Sequence, residues 1–240
     1  MVNIDTVYQR VLALANKEQR GYITPQEFNL FANQAQIEIF EQYFYDLNQS
    51  TKIPGNDYYF ADIDDLIEDK LQVFEATDGS AVVAAYTGAG AGGAFKQLPD
   101  YVYRIYRIEF NNITCEILKT KDFNKARRGG PLTSPTNARP IVNIRSNIIR
   151  AVGNNGDAII PTGVFYFRRP TNVSWGYFVI GDKALYDSST GKTTHFELHA
   201  SEETELVYKI LKFAGLSMRR NDLAQGGQGL ESLQIQQEKQ

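Results

Sequence analysis

Apolar residues near the N-terminus recur every three or four positions, which is the spacing of a helix buried along one side. This pattern begins at Ile4 and Val7, and Gly21 marks its predicted end. The same spacing returns over residues 25–48 and again over residues 61–74. The first part of the chain is therefore predicted to consist of three helices.

The strongest local signal marks the start of the second helix. Thr24 supplies a capping hydroxyl, Pro25 suits the first helical position, and Glu27 can reach back to the cap amide. At about 1.5 Å per residue, a helix over 25–48 would be about 36 Å long. Its wide apolar stripe predicts packing against other helices. The stripe consists of Phe28, Phe31, Ala32, Ala35, Ile39, Tyr43 and Leu47, flanked by Phe40 and Phe44.

The pattern changes after residue 75. Short apolar runs follow, separated by Gly, Pro, Asn and Asp, and no helical spacing alternates with them. Strands without intervening helices are expected to pair antiparallel, in a sandwich or small barrel rather than a doubly wound sheet. The candidate strands are 81–87, 101–110, 113–118, 140–144, 148–152, 163–168 and 177–180.

A last helix is predicted over residues 201–214, with Gly215 as its end. The expected fold class is α+β, in which helices from both ends of the chain form one bundle and an antiparallel β-module is inserted between them. The predicted regions are 1–75 (helical), 76–199 (β-rich insertion), 200–221 (C-terminal helix of the bundle) and 222–240 (extended or partner-docked tail).

The tail over residues 222–240 is rich in Gln and Gly and has few apolar side chains. Ordering each residue costs about 1–2 kcal/mol, which so little apolar surface cannot offset without a partner. The tail is therefore predicted to be mobile alone and ordered against another protein. The predicted docking residues are Leu223, Leu230, Leu233 and Ile235.

The 240 residues, 42% of them apolar, are enough to build a true core. The single cysteine, Cys115, excludes an internal disulfide. The N-terminus lacks the features of a signal peptide, and no window reaches the roughly 18 apolar residues that span a bilayer. The chain is expected to stay soluble in the cytoplasm where it is made, without a membrane partner.

The net charge of −3 conceals two opposite blocks. Residues 1–75 carry 13 acidic and 5 basic residues, a net charge of −8, whereas residues 104–150 carry 10 basic and 3 acidic residues, a net charge of +7. Such blocks can pair within a subunit or orient neighbouring copies, and Arg127 and Arg128 are the predicted contact between subunits. The basic block also contains aromatic residues, as nucleic-acid binders do, but a pI of about 5.5 for the whole chain argues against that function.

Two motifs resemble ligand sites but lack the context that such sites need. Gly88, Gly90 and Gly93 match a dinucleotide-binding pattern, but Pro99 and a new strand pattern follow where a helix is required. His195 and His199 flank Glu197, but no other His or suitably spaced Cys completes a zinc site. A flexible loop and an exposed or partner-facing histidine pair are the favoured interpretations.

The remaining candidate groups also have simpler explanations. Cys115 has no histidine near it in the sequence, so it is expected to pack as a small apolar residue. The acidic cluster Asp62, Asp64, Asp65, Glu68 and Asp69 lacks calcium-loop spacing and is expected to be a solvated helix face. The chain is therefore predicted not to be an enzyme and to have no cofactor and no metal.

Several segments resemble virion proteins of marine and crAss-like tailed bacteriophages. The first is VYQRVLALANKEQRGYITPQEFNLFANQAQ at residues 7–36. The others are FKQLPDY at 95–101, YFRRPTNVSW at 166–175 and LVYKILKFAGL at 206–216. Helical ends, a β-insertion and an extended C-terminus are similar to the head-to-tail adaptor proteins of short-tailed phages.

This resemblance implies a non-enzymatic structural protein in the neck or tail of a virion. The expected assembly is a dodecameric ring of identical subunits, which contacts the portal protein and the next tail ring or tail protein. Non-specific contact with DNA in the channel is expected as well. Two alternatives stay open, namely another tail ring or tail-tube component, and a receptor- or carbohydrate-binding tail protein in which Trp175 could stack on a sugar.

Overall fold

The protein has an α+β fold, as the sequence predicts. The described residues of the chain divide into two compact units, a helical unit (residues 1–73 and 170–240) and a β unit (residues 74–169). The computed structural model describes residues 1–15, 23–50, 57–79, 85–86, 95–130, 134–145, 148–181, 183–189, 191–217 and 221–238.

The described residues form six α-helices and twelve strands, besides two short 3-10 helices. The helices are α1 (Ile4–Ala15), α2 (Pro25–Ser50), α3 (Asp57–Gln72), α4 (Thr120–Arg127), α5 (Glu203–Ser217) and α6 (Asn221–Glu238). The strands are β1 (Glu75–Gly79), β2 (Ala85–Tyr86), β3 (Phe95–Gln97), β4 (Val102–Phe110), β5 (Ile113–Thr114), β6 (Glu116–Ile117), β7 (Ile141–Arg145), β8 (Ile148–Val152), β9 (Ala158–Ile159), β10 (Gly163–Arg168), β11 (Tyr177–Ile180) and β12 (Lys183–Tyr186).

Helix α2 begins where its capping signal predicts. The Thr24 backbone N–H donates to Glu27 Oε2 at 3.0 Å, and the Glu27 backbone N–H donates to Thr24 Oγ1 at 3.3 Å. These reciprocal bonds satisfy two amides that the first turn of a helix leaves without partners. The 26 residues of α2 make it the longest helix described, and α3 and α5 pack against it.

Helices α1, α2 and α5 enclose the core of the helical unit. Their buried apolar residues recur at helical spacing, so each helix presents one continuous apolar side. Fully buried examples are Val7 on α1, Phe28 and Ile39 on α2, and Leu206 and Ile210 on α5.

Two features of the C-terminal region differ from the expectation. Helix α5 continues through Gly215 to Ser217, because packing against α2 and α6 outweighs the weak helix propensity of glycine. Residues 221–238 form helix α6, which packs on α5 of the same chain, where an extended or partner-docked tail was expected. Gly227 brings α6 close to α5, since a Cβ atom at this position would lie 3.0 Å from the Lys212 backbone nitrogen.

A buried group of charges also joins α6 to α5. The Lys209 ammonium lies 2.6 Å from a Glu231 carboxylate oxygen on α6 and 3.3 Å from Glu205 on its own helix. Lys212 adds a 3.0 Å contact to Glu231. Nearby, the fully buried Glu202 contacts Lys70 of α3 at 2.7 Å. Lys209 is the shared cation of Glu205 and Glu231, so its removal would leave a buried carboxylate uncompensated, and its contact with Glu231 holds α6 against α5.

Glu205 should make the stability of the protein depend on pH. Burial raises its pKa from the ordinary 4.5 to about 7, although the Lys209 ammonium opposes this rise, and the Glu202 carboxylate adds to it. The pKa of Glu205 is higher in the folded state than in the unfolded state. Its contribution to the stability of the protein is therefore largest below pH 4.5 and is lost as the pH rises to about 7. Glu205→Gln should therefore stabilise the protein at pH 8 by about 3 kcal/mol, with little gain at pH 4.5. Urea unfolding at both pH values measures this, and an equal gain at both would contradict it.

The β unit contains two sheets that share a core, and a smaller buried cluster of Phe123, Ile141 and Val152 lies apart from it. One sheet has the strand order β1-β10-β4-β5, and the other has the order β2-β3-β8-β7-β6 with β9 beside β8. Pairing is antiparallel apart from the parallel pair β6 and β7. The core between the sheets consists of Leu98, Ile108, Cys115, Val142, Ile149, Ala151, Val164 and Tyr166.

The single strand expected over 113–118 is instead two strands in different sheets. β5 pairs with β4, whereas β6 pairs with β7 in the other sheet. Cys115 lies between them, buried in the shared core, and its backbone N–H donates to the Ile108 carbonyl at 2.8 Å. The chain therefore changes sheets at Cys115.

Other strand boundaries vary in how well the sequence predicts them. Strands β8, β10 and β11 have the predicted bounds, while α4 falls in a segment for which no helix was expected. Of the expected strand over 81–87, residues 85–86 are a strand, and the rest lies outside the described residues. Residues 170–199, expected in the β-rich insertion, group with the helical unit instead.

Candidate functional site

The β11–β12 hairpin carries a cluster of exposed apolar side chains in the helical unit. Phe178, Val179, Ile180 and Leu185 are each 41% to 61% exposed. Phe178 pairs with Leu185, and Val179 pairs with Ala184, so the apolar side chains cover both faces of the hairpin. Clustered apolar residues of this kind mark a surface that binds another molecule.

Trp175 anchors the hairpin to the core. Its ring is 2% exposed and stacks on Tyr177 and Tyr186, with ring centroids 5.8 Å apart in both cases. The ring centroid of Tyr8 is 4.2 Å from that of Trp175. The indole N–H donates to Asp5 Oδ1 at 2.9 Å, which satisfies the only polar atom of the ring. Trp175 is thus a packing residue and does not present its face to solvent.

Amide side chains of α2 hold the segment that leads into the hairpin. Asn33 Nδ2 donates to the Val173 carbonyl at 2.9 Å, and its Oδ1 accepts from the Val173 N–H at 2.8 Å. Asn29 makes the equivalent pair of bonds to Trp175, at 3.4 and 2.8 Å. Gln36 Nε2 donates to the Thr171 carbonyl at 2.8 Å.

This amide ladder works because two spacings match. Alternate residues of an extended segment lie about 6.6 Å apart, and residues four positions apart on a helix lie about 6.0 Å apart along its axis. Asn29 and Asn33 can therefore each pair with one of two alternate residues, as a neighbouring strand would. The ladder satisfies backbone groups that would otherwise be buried without partners.

The base of the hairpin is fixed by a close backbone contact. The Gly176 N–H donates to Thr193 Oγ1 at 3.1 Å, and the Asp187 N–H donates to the Gly176 carbonyl at 2.9 Å. A Cβ atom at Gly176 would lie 2.9 Å from the Lys192 carbonyl carbon, so only glycine fits here. The hairpin therefore projects from a rigid base.

A second exposed surface lies on the outer side of the sheet that contains β4 and β10. In β4 the sequence Tyr-Arg-Ile occurs twice, at 103–105 and 106–108. Phe165 pairs with Arg107 and Tyr166 pairs with Ile105, so Tyr106 has no partner residue on β10 and forms a bulge. A second bulge leaves Tyr103 without a partner residue in the same way. These bulges let every third residue face the core, so both Tyr-Arg pairs lie outside.

The predicted docking residues of the tail lie on α6. Leu230 is 43% exposed and Leu233 is 58% exposed, so both remain accessible beside the α5–α6 contact. The side chains of Leu223 and Ile235 lie outside the described part of the structure, although their backbone belongs to α6. Helix α6 thus keeps at least two apolar side chains on its outer surface.

Arg127 and Arg128 lie at the C-terminal end of α4, beside an open cavity of about 510 Å³. Arg128 lines this cavity together with Lys125 and the exposed ion pair of Arg139 with Glu116, whose atoms are 3.0 Å apart. Arg127 packs near the turn at Gly156. Among the described residues, no acidic side chain forms an ion pair with either arginine.

The histidine pair serves the fold of the helical unit. His195 Nδ1 accepts from the Ile4 backbone N–H at 3.3 Å, and His199 Nδ1 accepts from the Ser201 N–H at 3.3 Å. Glu197 is buried and accepts from the Thr171 N–H at 3.0 Å. In the described part of the chain, no group of three or more His, Cys, Asp or Glu side chains could hold a metal ion.

The described parts of the other candidate groups lack the features of a reactive or ligand-binding site. Burial raises the pKa of Cys115 to about 11, and Glu109 contributes, so the thiol stays protonated at neutral pH. The glycine-rich segment 87–94 lies outside the described residues, but strand β3 follows it where a dinucleotide site needs a helix. Of the acidic cluster, Asp65, Glu68 and Asp69 are exposed on α3, and the side chains of Asp62 and Asp64 are not described.

Sequence reasoning missed the hairpin as a functional surface, although a signal was present. The run Tyr-Phe-Val-Ile at 177–180 has no polar residue to alternate with its apolar ones. Such a run indicates a strand buried on both faces, so its exposure in this structure points to a missing partner.

Comparison with known proteins adds no family. No protein-family model matches the sequence, and no curated protein matches it. None of the described helices has the length and apolar character that crossing a membrane requires.

Proposed function

We propose that the chain is a non-enzymatic structural subunit of a phage virion, which assembles with copies of itself into a ring between portal and tail. The observation that carries this proposal is the exposed apolar hairpin β11–β12. Its four large side chains are costly to leave in water, at about 25 cal/mol per Å² of apolar surface, so a covering partner is favoured.

The anchoring of the hairpin supports the same proposal. Trp175, the amide ladder and the close contact at Gly176 hold the hairpin rigidly, so little conformational entropy is lost when it binds. A surface that projects from one side of a subunit and fits a different surface on the next copy forms a closed ring or a filament. The resemblance to head-to-tail adaptors favours the ring.

The remaining parts of the proposal follow the resemblance. Leu230 and Leu233 on the outer surface of α6 provide a contact for the portal, and the opposite net charges of the two units provide orientation between copies. The virion neck is the proposed location.

Replacing Phe178 and Ile180 together by serine should prevent assembly. Both side chains are exposed, so the monomer should remain folded while the contact between copies is lost. Mass photometry across a concentration series measures the oligomeric state. Leu14→Ser is the matched control, because Leu14 is 43% exposed on α1 of the same unit. Assembly of the double variant at the wild-type concentration would contradict the proposal.

A further inference from the structure

The two units of the chain differ strongly in charge. The β unit carries 13 basic and 7 acidic residues, a net charge of +6, while the helical unit has a net charge of −9. A pI of about 5.5 therefore averages two unlike parts. The acidic pI that argues against nucleic-acid binding by the whole chain does not apply to the β unit, because such binding depends on the charge of the domain concerned.

The outer face of β4 and β10 combines cations with exposed rings. Tyr103 and Tyr106 are 37% and 43% exposed, and each is followed directly by an arginine. The Arg107 guanidinium lies over the Phe165 ring at 4.0 Å, and Arg169 lies over the Tyr103 ring at 6.0 Å. The Tyr106 ring is 5.1 Å from the ring of Phe167. The contacts of the two tyrosines keep their rings on the outer face.

Acidic groups on this face define where the positive potential lies. Arg107 Nε contacts Glu109 Oε1 at 3.3 Å, and Glu75 on β1 is opposite Phe167. Among the described residues, no ion-pair partner is found for Arg104. The strongest anion contact is therefore expected at Arg104, between the two tyrosines in the sequence.

We propose that this face, consisting of Tyr103, Arg104, Tyr106 and Arg107, binds single-stranded nucleic acid. Arginine guanidinium groups contact phosphates, and tyrosine rings provide surfaces on which unpaired bases stack. A duplex hides the faces of its bases inside the helix, so only its phosphates would meet this surface. Single strands should bind more tightly for that reason. This activity goes beyond the proposed ring and does not require it.

The test uses the full chain and a fluorescein-labelled 20-nucleotide oligothymidine, with fluorescence anisotropy as the readout. Tyr103→Ala with Tyr106→Ala should weaken binding at least tenfold and leave the salt dependence unchanged, because stacking involves no counterion release. Tyr103→Phe with Tyr106→Phe keeps both rings and should bind within threefold of wild type. Thermal unfolding confirms that the variants are folded.

Arg104→Ala with Arg107→Ala should weaken binding and also reduce the slope of log K against log salt by about 1.4, the value for two phosphate contacts to a single strand. Lys121→Ala with Lys125→Ala is the charge-matched control on α4, and both of its positions are exposed. It should change affinity less than threefold.

Three results would overturn the proposal. The first is wild-type affinity in the tyrosine-to-alanine variant, and the second is equal affinity for a duplex of the same length. The third is a wild-type chain that binds no oligothymidine. If the Arg104→Ala, Arg107→Ala variant also loses self-association, this face is a protein contact instead.

Discussion

Trp175→Ala is expected to lower the free energy of unfolding by about 3–5 kcal/mol, the usual cost of truncating a buried tryptophan. The ring is almost completely buried, and it joins Tyr8 of α1 to Tyr177 and Tyr186 of the hairpin. Its loss also removes the indole donor from Asp5. Urea unfolding followed by fluorescence of the tyrosines or by circular dichroism measures the change.

Trp175→Phe provides the comparison. Phenylalanine keeps an aromatic ring between the tyrosines but lacks the N–H group that bonds to Asp5. Its cost should therefore be about 1–2 kcal/mol, well below that of alanine. Equal costs for both variants would indicate that the stacked rings contribute little to the stability of the helical unit.

Asn33→Ala should be the second most damaging of these substitutions, at about 2–4 kcal/mol. It leaves both the N–H and the carbonyl of the buried Val173 without their Asn33 partners, and each unsatisfied buried group costs about 1–3 kcal/mol. Gln34→Ala is the control on the next, exposed position of α2, where only a contact to Glu38 is lost. That change should stay within about 0.5 kcal/mol.

The Asn33 variant can be checked by denaturant unfolding and by hydrogen exchange. Amides of residues 171–175 should exchange faster in Asn33→Ala than in the Gln34→Ala control, because the ladder no longer protects them. Unchanged exchange over these residues would mean that the extended segment is held by other contacts.

The helices of the N-terminal region could be predicted because their signals are local. The cap at Thr24 and Glu27 acts over three residues, and the apolar stripe of α2 repeats along one helix. The bounds of β8 and β10 were predicted for the same reason, since turn residues flank both apolar runs.

The features that the sequence did not predict depend on residues far apart in the chain. Asn33 bonds to Val173, 140 positions away, and an exposed asparagine would look the same in the sequence. Lys209 meets Glu231 only because α6 folds back on α5. Helix α4 has four charged residues among its eight and only Phe123 fully buried, so its periodic signal is weak.

The candidate surfaces divide in a similar way. The apolar run of β11 was recognised as a strand, but its exposure depends on what packs around it. The repeated Tyr-Arg-Ile of β4 was visible, yet strict strand alternation would place Tyr103 and Tyr106 on opposite faces. Two bulges place both Tyr-Arg pairs on the outer face, and such irregularities have no clear sequence signature.

Electron cryomicroscopy of the purified full chain, at a concentration at which it assembles, tests the proposed function most directly. We expect closed rings in which the hairpin β11–β12 of each copy is buried against the next copy. The Phe178→Ser, Ile180→Ser chain should give single subunits under the same conditions. A chain that remains monomeric at every concentration, or a ring in which Phe178, Val179 and Ile180 face solvent, would contradict it.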